Sequence, residues 1–197
     1  WLKIRTPPSP VCAPDVAMAF RWAAAVAAAA TLCGVATADG VKCPGSSAFV
    51  HASTQVIVKT AGTCHDVRQE IEARVAGQPD KWHDPHNNGV YAILSRGADE
   101  VQLSRTTRNG QYTDKLALTF VDGDGCEVRG CSESQVFSVA DFSTNYCNLR
   151  MLYCGSADGC RPVAHDFTHR ETMVKTSIGA GKDPEKCIVS GAKQLNI

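Results

Sequence analysis

The sequence predicts an α+β domain, with one N-terminal helix packed on an antiparallel β-meander of about four strands and held by disulfides. Three observations carry this. Apolar residues recur at spacings of three and four between Cys64 and Val75. Alternating segments follow, punctuated by Asn109-Gly110 and by Asp122-Gly123-Asp124-Gly125. Cysteines lie along the same stretch in an even number once a leader is set aside.

The helix is the clearest element. Thr63 is a capping residue, and Asp66 three positions on gives a near match to a capping box. Cys64, Val67, Ile71 and Val75 form one face, and Arg68, Glu72 and Arg74 lie off it. Gly77 and Pro79 end the helix. So short a helix is not stable alone, so its stripe must lie on a body, and Cys64 on that stripe predicts a disulfide fastening it there. Upstream, residues 39–62 read as a leader with one short strand around Val56 and Val58.

Residues 78–89 read as a polar loop carrying Trp82, and Val90–Leu94 as a short strand before the turn at 96–99. Val101 to Arg108 alternates into Asn109-Gly110, the strongest short hairpin signal. That turn sets Val101 against Leu118, Leu103 against Leu116 and Arg105 against Asp114. The other face pairs Gln102 with Ala117, Ser104 with Lys115 and Thr106 with Thr113. One face is then apolar and ends in an opposite-charge pair, and a slip of one residue would scramble both faces. The strand runs through Phe120 to the Asp-Gly turn, and Cys126–Phe142 reads as the next strand, with Val136, Phe137, Val139 and Phe142 as its apolar positions. Beyond Phe142 the chain reads as cysteine-dense and irregular, with a last strand-like Ile188-Val189.

Three segments organise the chain. Met18 is the first methionine, and the Pro-rich residues 1–17 before it are expected to be non-native upstream sequence. Residues 18–38 hold Arg21, an Ala-rich apolar run and the small-x-small exit Ala36-Thr37-Ala38, the three parts of a secretory signal peptide cleaved after Ala38. Residues 39–197 are then one secreted domain with an irregular C-terminal part. Of 20 basic and 20 acidic residues, Lys3, Arg5, Arg21 and Asp15 precede the cleavage point. The domain therefore has a net charge of −2, which argues against nucleic acid as a partner. It contains no further run of membrane length.

Cys12 and Cys33 also fall upstream, leaving Cys43, Cys64, Cys126, Cys131, Cys147, Cys154, Cys160 and Cys187. In a secreted chain these read as disulfides, with no metal site, because no Cys-x-x-Cys pair occurs. Cys154 and Cys160 enclose a flexible loop and are expected to pair. Cys43 and Cys64 are candidates for a second bridge, with Cys126, Cys131, Cys147 and Cys187 pairing among themselves.

No catalytic motif or cofactor-binding signature is present. His83-Asp84-Pro85-His86 is the most suggestive cluster, although Pro85 favours an extended Asp84 that points the two imidazoles apart. His165-Asp166 and His169 with Glu171 pair a base with an orienting carboxylate and lack a nucleophile. The span Cys131–Cys154 mixes Ser, Asn, Gln and aromatics, groups that could face a sugar or peptide or fill a disulfide-held corner. The candidate ligand-binding residues are accordingly Trp82, His83, His86, Tyr146, Asn148 and Tyr153, and no residue is assigned as catalytic. The sequence-based expectation is a secreted binding protein for an extracellular protein, peptide or glycan. The alternatives are a small hydrolase using His and acidic residues, or an extracellular protease inhibitor.

His86-Asn-Asn-Gly-Val-Tyr91, Tyr112-Thr-Asp-Lys115 and Cys131 through Cys154 resemble pieces of small secreted cysteine-rich proteins predicted in unicellular eukaryotes. That group has no known activity, so the resemblance implies a location and no chemistry. The helix-then-meander order is similar to a cystatin-like roll by analogy. The inhibitory Gln-x-Val-x-Gly hairpin expected of a cystatin is not matched by Gln102-Leu-Ser-Arg-Thr106.

Overall fold

The computed structural model describes residues 40–189. The segments expected to be upstream sequence and signal peptide, with Cys12 and Cys33, lie outside the described residues.

In chain order the elements are β1 (Ser53–Thr60), α1 (Cys64–Ala76), β2 (Val90–Arg96), β3 (Glu100–Thr106), β4 (Thr113–Gly123), β5 (Gly125–Ser134), α2 (Thr144–Tyr153) and β6 (His169–Thr176). Short 3₁₀ turns occupy Ser156–Asp158 and Pro184–Lys186. The strands form one antiparallel sheet in the order β2-β3-β4-β5-β1-β6, and both helices pack on it. The fold is α+β, with six strands and two helices where the sequence predicted about four and one.

The predicted register of the first hairpin is present, from Val101 opposite Leu118 to Thr106 opposite Thr113. Extended across the sheet, it lines up Val101, Leu118, Gly130 and Val56 as one buried row. At Gly130 a Cβ would stand 2.9 Å from a Leu118 methyl and 3.1 Å from one of Leu149, so the missing side chain lets α2 approach the strand. The next rows turn polar: Leu103, Leu116, Ser132 and Thr54, then Arg105, Asp114 and Ser134. The inner face is therefore apolar at one end and hydrogen-bonding at the other.

α1 begins as predicted, with Thr63 Oγ1 accepting from the Asp66 backbone N–H, and it buries Cys64, Val67 and Ile71. Arg74, expected off the stripe, is buried. Its guanidinium donates to Glu70 at 2.6 Å, Met151 O at 2.6 Å and Cys154 O at 2.7 Å. Glu70, also buried, accepts from the backbone N–H groups of Val163, Ala164 and His165 at 2.6–2.8 Å. One i,i+4 pair thus ties α1 to the end of α2 and to the 163–165 loop. Burial pushes the Glu70 pKa up, but the three N–H groups and Arg74 outweigh it and hold the carboxyl below its ordinary value.

Further sequence expectations are corrected. The strand expected around Val56 and Val58 is present as β1, but it spans eight residues inside the sheet, buried on one face between β5 and β6. β5 stops at Ser134, and Phe137, Val139 and Phe142 are exposed loop residues. The segment read as irregular after Phe142 forms α2. Eight of its ten residues are buried, Asn145 and Asn148 among them, so it presents no apolar stripe to recognise. The expected Cys43–Cys64 pairing does not form: the bridges are Cys43–Cys131, Cys64–Cys126, Cys147–Cys187 and Cys154–Cys160. Cys43 runs beside β5, where Gly45 N–H donates to Glu133 and Ser46 Oγ to Ser134 O, which brings it to Cys131. Cys64 meets Cys126 because Thr60, just before α1, pairs with that residue. The expectation that Cys64 fastens the helix to the body holds with this different partner. Among the described residues, no helix is long and apolar enough to cross a membrane.

Candidate functional site

At the polar end of the sheet, the 107–112 hairpin loop and the 135–143 loop enclose a cleft of about 570 Å³. That volume lies within the range of small-ligand sites, about 300–1,000 Å³. Asp114, Ser134 and Asn87 lie on its lining beside apolar groups of the two loops. Four large apolar side chains there stand out into solvent: Phe142 is 75% exposed, Phe137 74%, Tyr112 53% and Val139 50%.

The shape of the second loop follows from Asp141. Its Oδ1 accepts from the Ser143 and Gly181 N–H groups, each at 3.1 Å. Its Oδ2 accepts from Asn145 N–H and Asn145 Nδ2, each at 3.0 Å. Gathering these donors turns the chain through left-handed backbone at Phe142 (φ 50°) and Ser143 (φ 76°). A bulky residue at positive φ costs of order 1 kcal/mol or more, and Phe142 recovers little of that by burial.

The floor is braced from behind by a chain of buried side chains. Ser134 Oγ donates to Asp114 Oδ1 and Asn148 Nδ2 to Asp114 Oδ2, both at 2.7 Å. Asn148 Nδ2 also reaches Ser132 Oγ at 3.2 Å, and Ser132 donates to Asn145 Oδ1 at 2.7 Å. Asn145 returns to Asp141. The two carboxylates lining the cleft are therefore joined through α2 and β5, and partnered networks of this kind hold side chains in one geometry. On the far side of Asp114, buried Arg105 pairs with buried Asp84 and donates to Asn87. Burial lowers the Arg105 pKa, and Asp84, Tyr91 and Asp114 more than offset it, so this cation stays charged.

A second polar cluster lies between α2 and β6. Glu171 accepts from Tyr146 at 2.9 Å, Tyr153 at 2.8 Å and Arg150 at 2.7 Å. Arg150 also bridges to Asp158 and to His169 Nε2, while His169 Nδ1 lies 3.2 Å from Asp158. Burial lowers the His169 pKa; Asp158 opposes that and Arg150 adds to it. With Nε2 taken by Arg150, this imidazole is held in place and is not open to a substrate. His165 Nε2 contacts Gln69, and its neighbour Asp166 accepts from Ser156.

The six candidate residues from the sequence do not converge. Trp82 is buried edge-on against Tyr91, with ring centroids 5.7 Å apart. His83 is exposed beside a smaller pocket of about 390 Å³ with Lys81 and Arg161. His86 Nδ1 meets Lys186 O at 2.7 Å, and burial lowers its pKa. Tyr146 and Tyr153 serve the Glu171 cluster; burial raises the pKa of both phenols, Glu171 adds to it and Arg150 opposes it. Asn148 touches the cleft floor through Asp114, and His86 Nε2 reaches Thr144 Oγ1 on the lining at 3.5 Å. Sequence reasoning did not single out Asp114 or Tyr112 as site residues, and it assigned Phe137, Val139 and Phe142 to a strand. Their signal was present in the run Val136-Phe-Ser-Val-Ala-Asp-Phe142, whose apolar residues keep neither a two-residue nor a helical period.

No family model matches the chain, and no curated protein matches it in sequence.

Proposed function

We propose that the protein is a secreted, disulfide-stabilised binding protein whose ligand enters the cleft between the 107–112 and 135–143 loops. Four disulfides and the signal-like segment at 18–38 support an oxidising, extracellular setting. The observation that carries the binding role is Phe142. Its backbone sits in a disfavoured region, its ring is 75% exposed, and it stands in an apolar rim over a hydrogen-bonded polar floor. Neither packing nor chain geometry rewards that arrangement, whereas ligand contact does.

The reading is tested with an aromatic fragment. Titrating indole into ¹⁵N-labelled protein is expected to shift amide resonances of residues 107–112 and 134–144. Shifts centred elsewhere, or none, overturn it.

A further inference from the structure

We infer that the ligand of this cleft is a neutral oligosaccharide. The inference rests on the binding role proposed above and concerns only what occupies the site.

The floor asks for hydrogen-bond donors. Asp114 is an acceptor with one donor on each oxygen, Ser134 and Asn148, leaving a lone pair free on each. Ser134 has already donated its only hydroxyl proton to Asp114, so its Oγ is left as an acceptor as well. A ligand seated here must therefore bring O–H or N–H groups.

Charge then separates the two kinds of donor. Arg105 stands opposite Asp114 in the sheet register and exerts its positive field on it, and Arg108 adds a second cation to the lining. Asp84 pairs with Arg105, Arg108 stands on the same lining as Asp114 and Asp141, and donors already meet both carboxylates, so the cleft presents no unbalanced charge that calls for an ionic ligand. A neutral hydroxyl needs no counter-charge.

Shape and polarity supply the rest. Tyr112, Phe137 and Phe142 offer exposed ring faces beside this acceptor floor. A pyranose ring matches both, with apolar C–H faces that lie on aromatic rings and a rim of hydroxyls that donate to carboxylate and hydroxyl oxygens. An extended peptide fits less well. It brings one backbone acceptor for every donor, whereas the donors nearest Asp114, the Ser134 hydroxyl and the Asn148 amide, already serve Asp114 and Ser132.

The experiment is calorimetric titration of the intact protein with cellohexaose, chitohexaose, laminarihexaose and mannohexaose, alongside the indole titration. At least one hexaose is expected to bind, and the F137A variant to bind it about tenfold more weakly with an unchanged melting temperature. Phe137 is 74% exposed, so the fold does not depend on it. D114N keeps the size of the side chain but turns one acceptor into a donor, and is also expected to lose affinity. Indole binding in the cleft with no response to any of the hexaoses overturns the sugar assignment and leaves the binding role standing. Hexaose binding that F137A leaves intact also overturns the assignment. Indole shifts that are absent or centred elsewhere overturn the binding role itself, and the sugar assignment with it.

Discussion

Replacing Glu70 by glutamine probes how the two helices are joined. The wild-type carboxylate accepts four hydrogen bonds, two on each oxygen: Arg74 Nε and Val163 N–H on Oε1, Ala164 and His165 N–H on Oε2. Glutamine keeps one oxygen. Whichever way the amide turns, its NH₂ group faces two donors, and Arg74, 1% exposed, loses its counter-charge. Removing one partner of a buried ion pair costs about 3–5 kcal/mol. With a urea m-value of about 2 kcal/mol/M, the unfolding midpoint should fall by about 2 M. Urea denaturation with the disulfides intact, followed by tryptophan fluorescence, reads this directly through buried Trp82. The double variant E70Q/R74M should cost less than the sum of the single variants, because the orphaned charge is then gone. A midpoint shift below about 0.5 M for E70Q would refute the claim that this carboxylate holds α1, α2 and the 163–165 loop together.

Other outcomes follow from the same geometry. F142G should leave the melting temperature unchanged or raise it, since glycine accepts φ 50° without strain and little burial is lost, while weakening ligand binding. Differential scanning fluorimetry beside calorimetry separates the two effects. Acid should destabilise the fold in two stages. His86 and His169 have folded pKa values below 6.5, so their contribution is present above that pH and is lost as pH falls through the folded values. Glu70, held below 4.5, adds a second loss as the pH falls further, through its folded value, and E70Q should abolish that stage in a pH series of melting curves. Removing the Cys147–Cys187 bridge, separation 40, should cost about 4 kcal/mol by loop entropy. Removing Cys154–Cys160, separation 6, should cost about 2 kcal/mol, and urea midpoints of the paired serine variants compare them.

The parts of this fold legible in the sequence are those governed by local rules. The cap at Thr63 and the stripe Cys64-Val67-Ile71 declare α1, and Asn109-Gly110 between alternating runs declares the β3–β4 register down to Arg105 opposite Asp114. The segments that escaped are those whose character is set by distant partners. α2 is buried on almost all sides, so its asparagines look like loop residues until Asp114, Ser132 and Asp141 are placed around them. β6 turns His169 and Glu171 toward α2, where Arg150 and two tyrosines meet them, and it lacks the apolar alternation of an inner strand. Arg74 reads as a surface charge because its carbonyl partners lie 77 and 80 residues away. The candidate site shares this history. Its composition was visible as the unusual run from Cys131 onward, but exposure of Phe137 and Phe142 depends on where β5 stops and on the donors that Asp141 gathers.

Solvent mapping of crystals soaked in isopropanol tests the location of the binding site most directly. The account predicts that isopropanol molecules cluster beside Asp114, hydroxyl toward its carboxylate and methyls toward the rings of Phe137 and Phe142. Clustering in the pocket beside His83, Lys81 and Arg161, with the Asp114 cleft empty, would contradict it.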